Sequence, residues 1–244
     1  MESFYTDTNN FVPYNLEHFI CVFVILILGW FFLYFGKYKW NKKKRWKYPI
    51  LLSCAVYFTQ LFKVFFRMYL GNFDHTVDLP LHLCNMLPLF MIIALFLKSR
   101  LLLSIIFFWI LAGTVQSNIT PDLKNVLPHY EAIRYWVVHM WLPILAVYTT
   151  YVLGFRYTYK DALRSAICLN VIAAIVYPIN LLLGSNYLYL MAKPNADTIY
   201  NYLGPWPWYI ISLELVMFVL FTLIVAVSKL FYKTKKDIVI GKVV

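Results

Sequence analysis

Seven long apolar runs separated by short polar segments dominate the chain, at about 17–36, 48–69, 79–97, 101–119, 135–154, 163–184 and 206–228. About 20 apolar residues in helical form cross the roughly 30 Å hydrocarbon layer of a bilayer, so each run matches one crossing. The runs are continuous rather than alternating, which excludes an outer-membrane barrel, whose strands alternate lipid-facing and lumen-facing side chains. Composition agrees: 62% of the 244 residues are hydrophobic and 14% are charged, about half the charged share of a soluble domain. The expected fold is an all-α membrane protein, a bundle of seven transmembrane helices over 17–228, with an N-terminal segment 1–16 and a basic tail 229–244.

The net charge of +11 lies in short blocks between the runs, where it orients a membrane protein rather than binding nucleic acid. With seven spans the loops alternate between two sides. One side holds Lys37, Lys39, Lys42, Lys43, Lys44, Arg45, Lys47, Lys98, Arg100, Arg156, Lys160, Arg164, Lys229, Lys233, Lys235, Lys236 and Lys242. The other side holds Lys124, Arg134 and Lys193, with Lys63 and Arg67 inside span two. Most acids, among them Glu2, Asp7, Asp74, Asp78, Asp122, Glu131 and Asp197, fall on that second side, against Asp161 and Asp237 on the first. The positive-inside rule then puts the N-terminus outside and the C-terminus in the cytoplasm of a multi-pass plasma-membrane protein. The acidic first residues do not form the basic start of a signal peptide, so no cleavable targeting segment is expected. No internal repeat argues for the two halves of a transporter. Cys21, Cys54, Cys84 and Cys168 lie in four different spans without a CxxC pair, so neither a disulfide framework nor a zinc site is indicated; no metal and no cofactor is expected.

Polar side chains in lipid are costly and usually face the bundle interior, so their depth is informative. They gather near the outer face: Lys63 and Arg67 at the end of span two; Asp78, His82, Cys84 and Asn85 at the start of span three; Gln116 late in span four; Tyr135 and His139 early in span five; Asn180 late in span six. Glu214 lies deeper, by roughly 12 Å at 1.5 Å per residue. The pattern describes a polar basin that opens outward. His82 and His139 stand about one turn below the outer boundary in different helices, either as packed, hydrogen-bonded side chains or as two walls of one site. Lys63 and Arg67, at i and i+4, snorkel to headgroups, pair with Asp74 and Asp78, or hold an anionic headgroup. Glu214 is a neutral buried acid, a partner of Lys63 or a proton-coupling group. On a regular helix, Asp78, His82 and Asn85 share one face while Cys84 lies about 160° from His82, which separates that thiol from His82. The loop 185–205 is strongly aromatic; Tyr187, Tyr189, Tyr200, Tyr202, Trp206 and Trp208 form an interfacial belt, or the loop is a lid hinged at Gly184 and Gly204.

Several strings resemble one known family. Asp78-Leu79-Pro80-Leu81-His82-Leu83-Cys84, Thr120-Pro121-Asp122 after Gln116, His139, Gly184-Ser185-Asn186-Tyr187-Leu188-Tyr189-Leu190 and Gly204-Pro205-Trp206-Pro207-Trp208-Tyr209 together resemble the bacterial YwaF-type integral membrane proteins, over about 48–228. That family is distantly similar to an animal transmembrane acyltransferase that builds ether phospholipids. The resemblance implies acyl chemistry on a lipid, with a nucleophile in an early helix and a histidine in a later one. His139 matches the histidine. The relative's cysteine falls on Leu81, and Cys84 sits one turn on, about 60° away.

The expected function is membrane-embedded acyl transfer, or acyl-ester hydrolysis, on outer-leaflet lipids or lipid-anchored molecules, with membrane lipids as partners. Either Cys84 attacks as a thiolate with His139 as base, or His82 or His139 activates an acceptor directly. The remaining polar residues of the basin, Lys63, Arg67, Asp78, Asn85, Gln116, Tyr135, Asn180 and Glu214, would bind substrate. The rival reading is a non-enzymatic protein that binds or transports a small solute. A retinal-type photoreceptor is disfavoured because the last span lacks a mid-helix lysine.

Overall fold

Short polar residues flanking the apolar runs set where the helices begin. Asn15, Asn41 and Ser99 each accept a hydrogen bond from a backbone N–H two or three residues inside the following helix, at 2.8, 3.0 and 3.3 Å. Thr158 and Asp161 form a reciprocal capping box. The computed structural model describes residues 4–7, 10–194 and 198–230. Among these the chain forms seven helical rods and no strand. They are α1 (Leu16–Tyr34, prolonged by a wider turn over Phe35–Lys39), α2 (Lys42–Tyr69), α3 (Leu83–Phe96), α4 (Arg100–Ile119), α5 (Tyr130–Tyr151), α6 (Tyr159–Leu183) and α7 (Trp208–Leu230).

Five of these, Leu16–Lys39, Lys42–Tyr69, Arg100–Ile119, Tyr159–Leu183 and Trp208–Lys229, are long and apolar enough to cross a membrane. Their burial runs opposite to that of a soluble protein. The windows of Trp208–Lys229 and Leu16–Lys39, with mean hydropathies of 2.8 and 2.6, are only 17% and 11% buried, while Arg100–Ile119, at 1.7, is 50% buried. Side chains such as Leu181, Leu182, Leu215 and Val219 point away from the protein, a stable arrangement only when the surroundings are themselves apolar. This is a multi-pass membrane protein.

The other two rods depart from the simple expectation. The run 79–97 becomes helical only at Leu83, because residues 79–81 turn and His82 takes the N-cap position; α3 has 14 residues, about 21 Å of helix, less than the hydrocarbon thickness. Pro80, which fits poorly after the first turn of a helix, lies in that turn. The run 135–154 instead gains a turn at its start: α5 opens at Tyr130, where His129 accepts from the Glu131 N–H. This helix is the post of the bundle, with α1, α2, α3 and α4 packed around it and thirteen of its 22 residues buried. α6 packs on α4, and α7 closes against α6 and the middle of α4. The lysine-rich 233–242 portion of the tail, together with Glu2 and Asp197, lies outside the described residues.

Close approach of α1 to α5 depends on two glycines seven residues apart. A Cβ at Gly36 would stand 2.6 Å from Tyr148 Cε2, and one at Gly29 would stand 2.4 Å from Ile144 Cδ1. The Ile144 tip can rotate away. Tyr148 cannot, since it is fully buried and its hydroxyl donates to the Arg45 carbonyl at 2.8 Å. Gly36→Ala should therefore destabilise the protein by about 1–3 kcal/mol through overpacking, and Gly29→Ala by less; melting in detergent checks the order.

The two ends of the bundle are chemically distinct. At the lysine-rich end the Arg100 guanidinium grips Asp161 with two nitrogens, at 3.0 and 2.8 Å, and ties α4 to α6. The opposite end carries the polar residues and a cavity.

Candidate functional site

A cavity of ≈ 470 Å³ lies at the polar end, between α3, α4, α5, α6 and α7. The helix α4 shapes one wall. Its regular winding widens over Ile110–Thr114, and Thr114 Oγ1 donates to the Ile110 carbonyl at 2.7 Å. Wide turns of this kind re-aim the residues that follow them, and here Gly113, Thr114, Gln116 and Ser117 all reach the cavity. Gly113 leaves open space where a side chain would stand.

Of the residues singled out from sequence, Lys63, His82, Cys84, Asn85, Gln116, Tyr135, His139 and Glu214 line this cavity. The helical-wheel argument that set Cys84 apart from His82 does not hold, because the chain is not helical between them and Asp78: His82 caps α3 while Cys84 lies in its first turn. Both face the same space.

Arg67, Asp78 and Asn180 do not line the cavity. Asp78 is almost wholly buried and pairs with Lys63 Nζ at 3.0 Å and Arg67 Nε at 2.7 Å; Arg67 also reaches Glu131 at 3.2 Å. The cluster welds α2 to the turn before α3 and to α5. Asn180 holds the loop after α6: its Nδ2 donates to the Tyr187 carbonyl, and its Oδ1 accepts from the Tyr187 N–H and the Ser185 hydroxyl, all at 2.8 Å. Glu214 accepts from Asn170 at 3.0 Å, so it is not the partner of Lys63.

His139 has a defined tautomer. Its Nδ1 lies 2.9 Å from the Tyr135 carbonyl, which can only accept, so Nδ1 carries the proton. Nε2 then holds a lone pair. The ring stacks obliquely on Tyr135, 4.1 Å between centroids, and the Tyr135 hydroxyl is fixed to the Ser117 carbonyl at 2.7 Å. Asn118 Nδ2 donates to the His139 and Thr114 carbonyls, at 2.7 and 3.0 Å, and so ties α5 to the wide turn of α4. The result is an oriented base in the cavity wall.

The aromatic loop 185–205 divides between two roles. Tyr202, Trp206 and Trp208 are exposed, as a belt requires. Tyr187, by contrast, is fully buried, its ring against His82 at 5.2 Å, and its hydroxyl donates to the His75 carbonyl and accepts from the Leu79 N–H. Leu188, Tyr189, Leu190, Pro194, Thr198, Ile199 and Tyr200 roof the cavity. Leu188 and Tyr189 adopt left-handed backbone, φ 59° and 54°, which costs roughly 1–2 kcal/mol per residue. That cost is offset by Asn180 and by the Tyr189 hydroxyl, which donates to Asp122 at 3.3 Å. Burial, with Asp122 beside it, pushes the Tyr189 phenol well above its ordinary range, so the bond persists throughout neutral pH. Gly184 and Gly204 bound the roof in left-handed backbone, φ 65° and 88°.

Arg134 was not legible as a site residue. In sequence it is a loop charge, whereas α5 begins before it and carries its guanidinium to the cavity, where Nη1 donates to Gln60 at 3.1 Å and Asn85 at 3.0 Å. An N-cap histidine at 129, outside the usual Ser, Thr, Asp and Asn set, hides that helix start.

One other cluster, Asp7, His129 and Glu131, has ligand atoms close enough for a metal ion. Its chemistry argues against one. His129 Nδ1 accepts the Glu131 N–H, so Nε2 keeps its proton, and Glu131 is held by Arg67.

A model of the TMEM164 family matches residues 13–225, which take in all of α1 to α6 and most of α7. The chain belongs to the TMEM164 family. This is a transmembrane family, as the apolar runs required. The match encloses every residue of the cavity wall. No curated protein and no solved structure matches the chain.

Proposed function

We propose that this TMEM164-family protein transfers or hydrolyses acyl groups on membrane lipids. One observation carries the reading: a single cavity joins an oriented histidine base to a thiol, a second histidine and a long apolar wall. Leu87, Trp109, Leu169, Leu213, Met217 and Phe221 supply that wall. An acyl chain fits against them while the ester carbonyl lies among His139, His82 and Cys84. His139 Nε2 takes the proton of the attacking group, which is the Cys84 thiol or the hydroxyl of an acceptor. The carbonyl carbon is attacked, its ester C–O bond breaks and the alcohol leaves with the proton; on the Cys84 route water or an acceptor hydroxyl then attacks the thioester, takes the acyl group and returns the thiol. The resemblance of the motifs to YwaF-type proteins and their acyltransferase relatives points the same way.

The lysine asymmetry supports seven crossings with the cavity on the outer side of the plasma membrane, so the substrate is an outer-leaflet lipid. Untargeted lipid mass spectrometry on cells with and without the gene tests the proposal. A lyso-lipid or an altered acyl distribution that depends on the gene is the expected result. An unchanged lipidome overturns it, and accumulation of a polar metabolite would favour a solute-handling protein.

A further inference from the structure

The buried charge at the polar end does not balance. Asp78 is divided between Lys63 and Arg67, and Glu131 is taken by Arg67. Arg134 has no carboxylate within 4 Å among the described residues. Its partners are the neutral oxygens of Gln60 and Asn85, and its Nε is buried without a hydrogen-bond partner. A guanidinium cannot shed its proton, so the site carries a fixed positive charge in a low-dielectric cavity. Such a charge is strongly unfavourable unless an anion completes it. Lys63 lines the same cavity, as does His82. The acids on the cavity wall do not serve: Glu214 is bonded to Asn170 and Asp122 to Tyr189.

We infer that Arg134, assisted by Lys63, forms an anion subsite that holds the phosphate of a phospholipid while its acyl chain lies on the apolar wall. The inference rests on the lipid reading above and adds the headgroup chemistry. One feature fits a phosphodiester better than a free anion: the apolar wall shares the cavity with the guanidinium. Gln60 and Asn85 both accept from Nη1, which leaves the Nη2 side of the guanidinium for the ligand.

The test measures binding to the full-length protein in detergent, with His139→Ala as background to prevent turnover. Three probes are compared: dioctanoyl phosphatidylcholine, dioctanoylglycerol and inorganic phosphate. The phospholipid should bind at least 10-fold more tightly than the diglyceride. Arg134→Gln should weaken phospholipid binding by about 10- to 100-fold and leave the diglyceride unchanged. Arg134→Lys, which keeps the charge but loses the fork, should lie between, and it serves in place of Arg134→Gln if that variant fails to fold. Equal binding of both glycerides, insensitive to Arg134, overturns the subsite while leaving lipid chemistry intact. Arg134-dependent binding of inorganic phosphate with no gain from the acyl chains keeps the anion subsite but overturns the phospholipid. Binding of none of the three probes overturns the subsite and the lipid reading together.

Discussion

Asp78→Ala should be among the most destabilising single substitutions in this protein, by about 3–5 kcal/mol, because it strips the buried Lys63 of its anion and leaves the half-buried Arg67 with Glu131 alone. The carboxylate is almost wholly buried between Lys63 Nζ and Arg67 Nε, and it also accepts the Asp74 N–H at 2.9 Å. Removing it frees the turn that precedes α3, and with it the cap residue His82. A drop of roughly 10 °C in the melting midpoint in detergent is expected. Asp78→Asn should cost less, because it keeps the shape and the backbone hydrogen bond. Adding Lys63→Met to Asp78→Ala should recover part of the loss, since the orphaned ammonium is then gone. A melting point unchanged in Asp78→Ala would mean that the cluster is solvated and does not hold the cavity together.

The second large effect concerns chemistry. His139→Ala should lower the turnover of purified protein on a phospholipid ester by 10²–10⁴-fold, the range of a positioned general base, with the melting point nearly unchanged. The ring makes one side-chain hydrogen bond, to the carbonyl of its own helix, and α5 keeps its other packing without it. The Cys84 variants then separate the two routes. If the thiol forms an acyl intermediate, Cys84→Ala and Cys84→Ser should fall as far as His139→Ala. If His139 activates the acceptor directly, Cys84→Ala should retain most of the rate. Full activity in His139→Ala would remove the histidine from the chemistry altogether.

Most helices were legible because membrane-crossing length is written in uninterrupted apolar runs. The ends of α2, α4 and α7 fall within a few residues of the runs at that end, apart from the start of α2, where a lysine block hides an Asn41 cap. What escaped was set by tertiary contacts. Residues 79–82 are apolar enough to continue a helix, yet Pro80 and the pull of Lys63 and Arg67 on Asp78 keep them turned. Arg134 reads as a loop charge because its helix begins with a histidine cap. The loop 185–205 shows its aromatic content plainly, but composition does not tell the inward Tyr187 from the outward Tyr202; the hydrogen bonds of Asn180 decide that. The family match agrees with the apolar pattern, and it says nothing of the YwaF proteins that the motifs resemble.

The inverted burial of α1, α6 and α7 has a consequence for how substitutions are tolerated. In a soluble protein the most hydrophobic positions are the least replaceable, because each fits a particular gap in the interior. Here the strongly apolar positions face fluid acyl chains, which adapt to any apolar shape, so Leu182, Leu215 and Val219 are interchangeable with isoleucine, phenylalanine or methionine. Mutational intolerance moves to the polar minority, Asp78, Arg134 and Asn180, where no neighbouring molecule can rearrange to replace a lost partner.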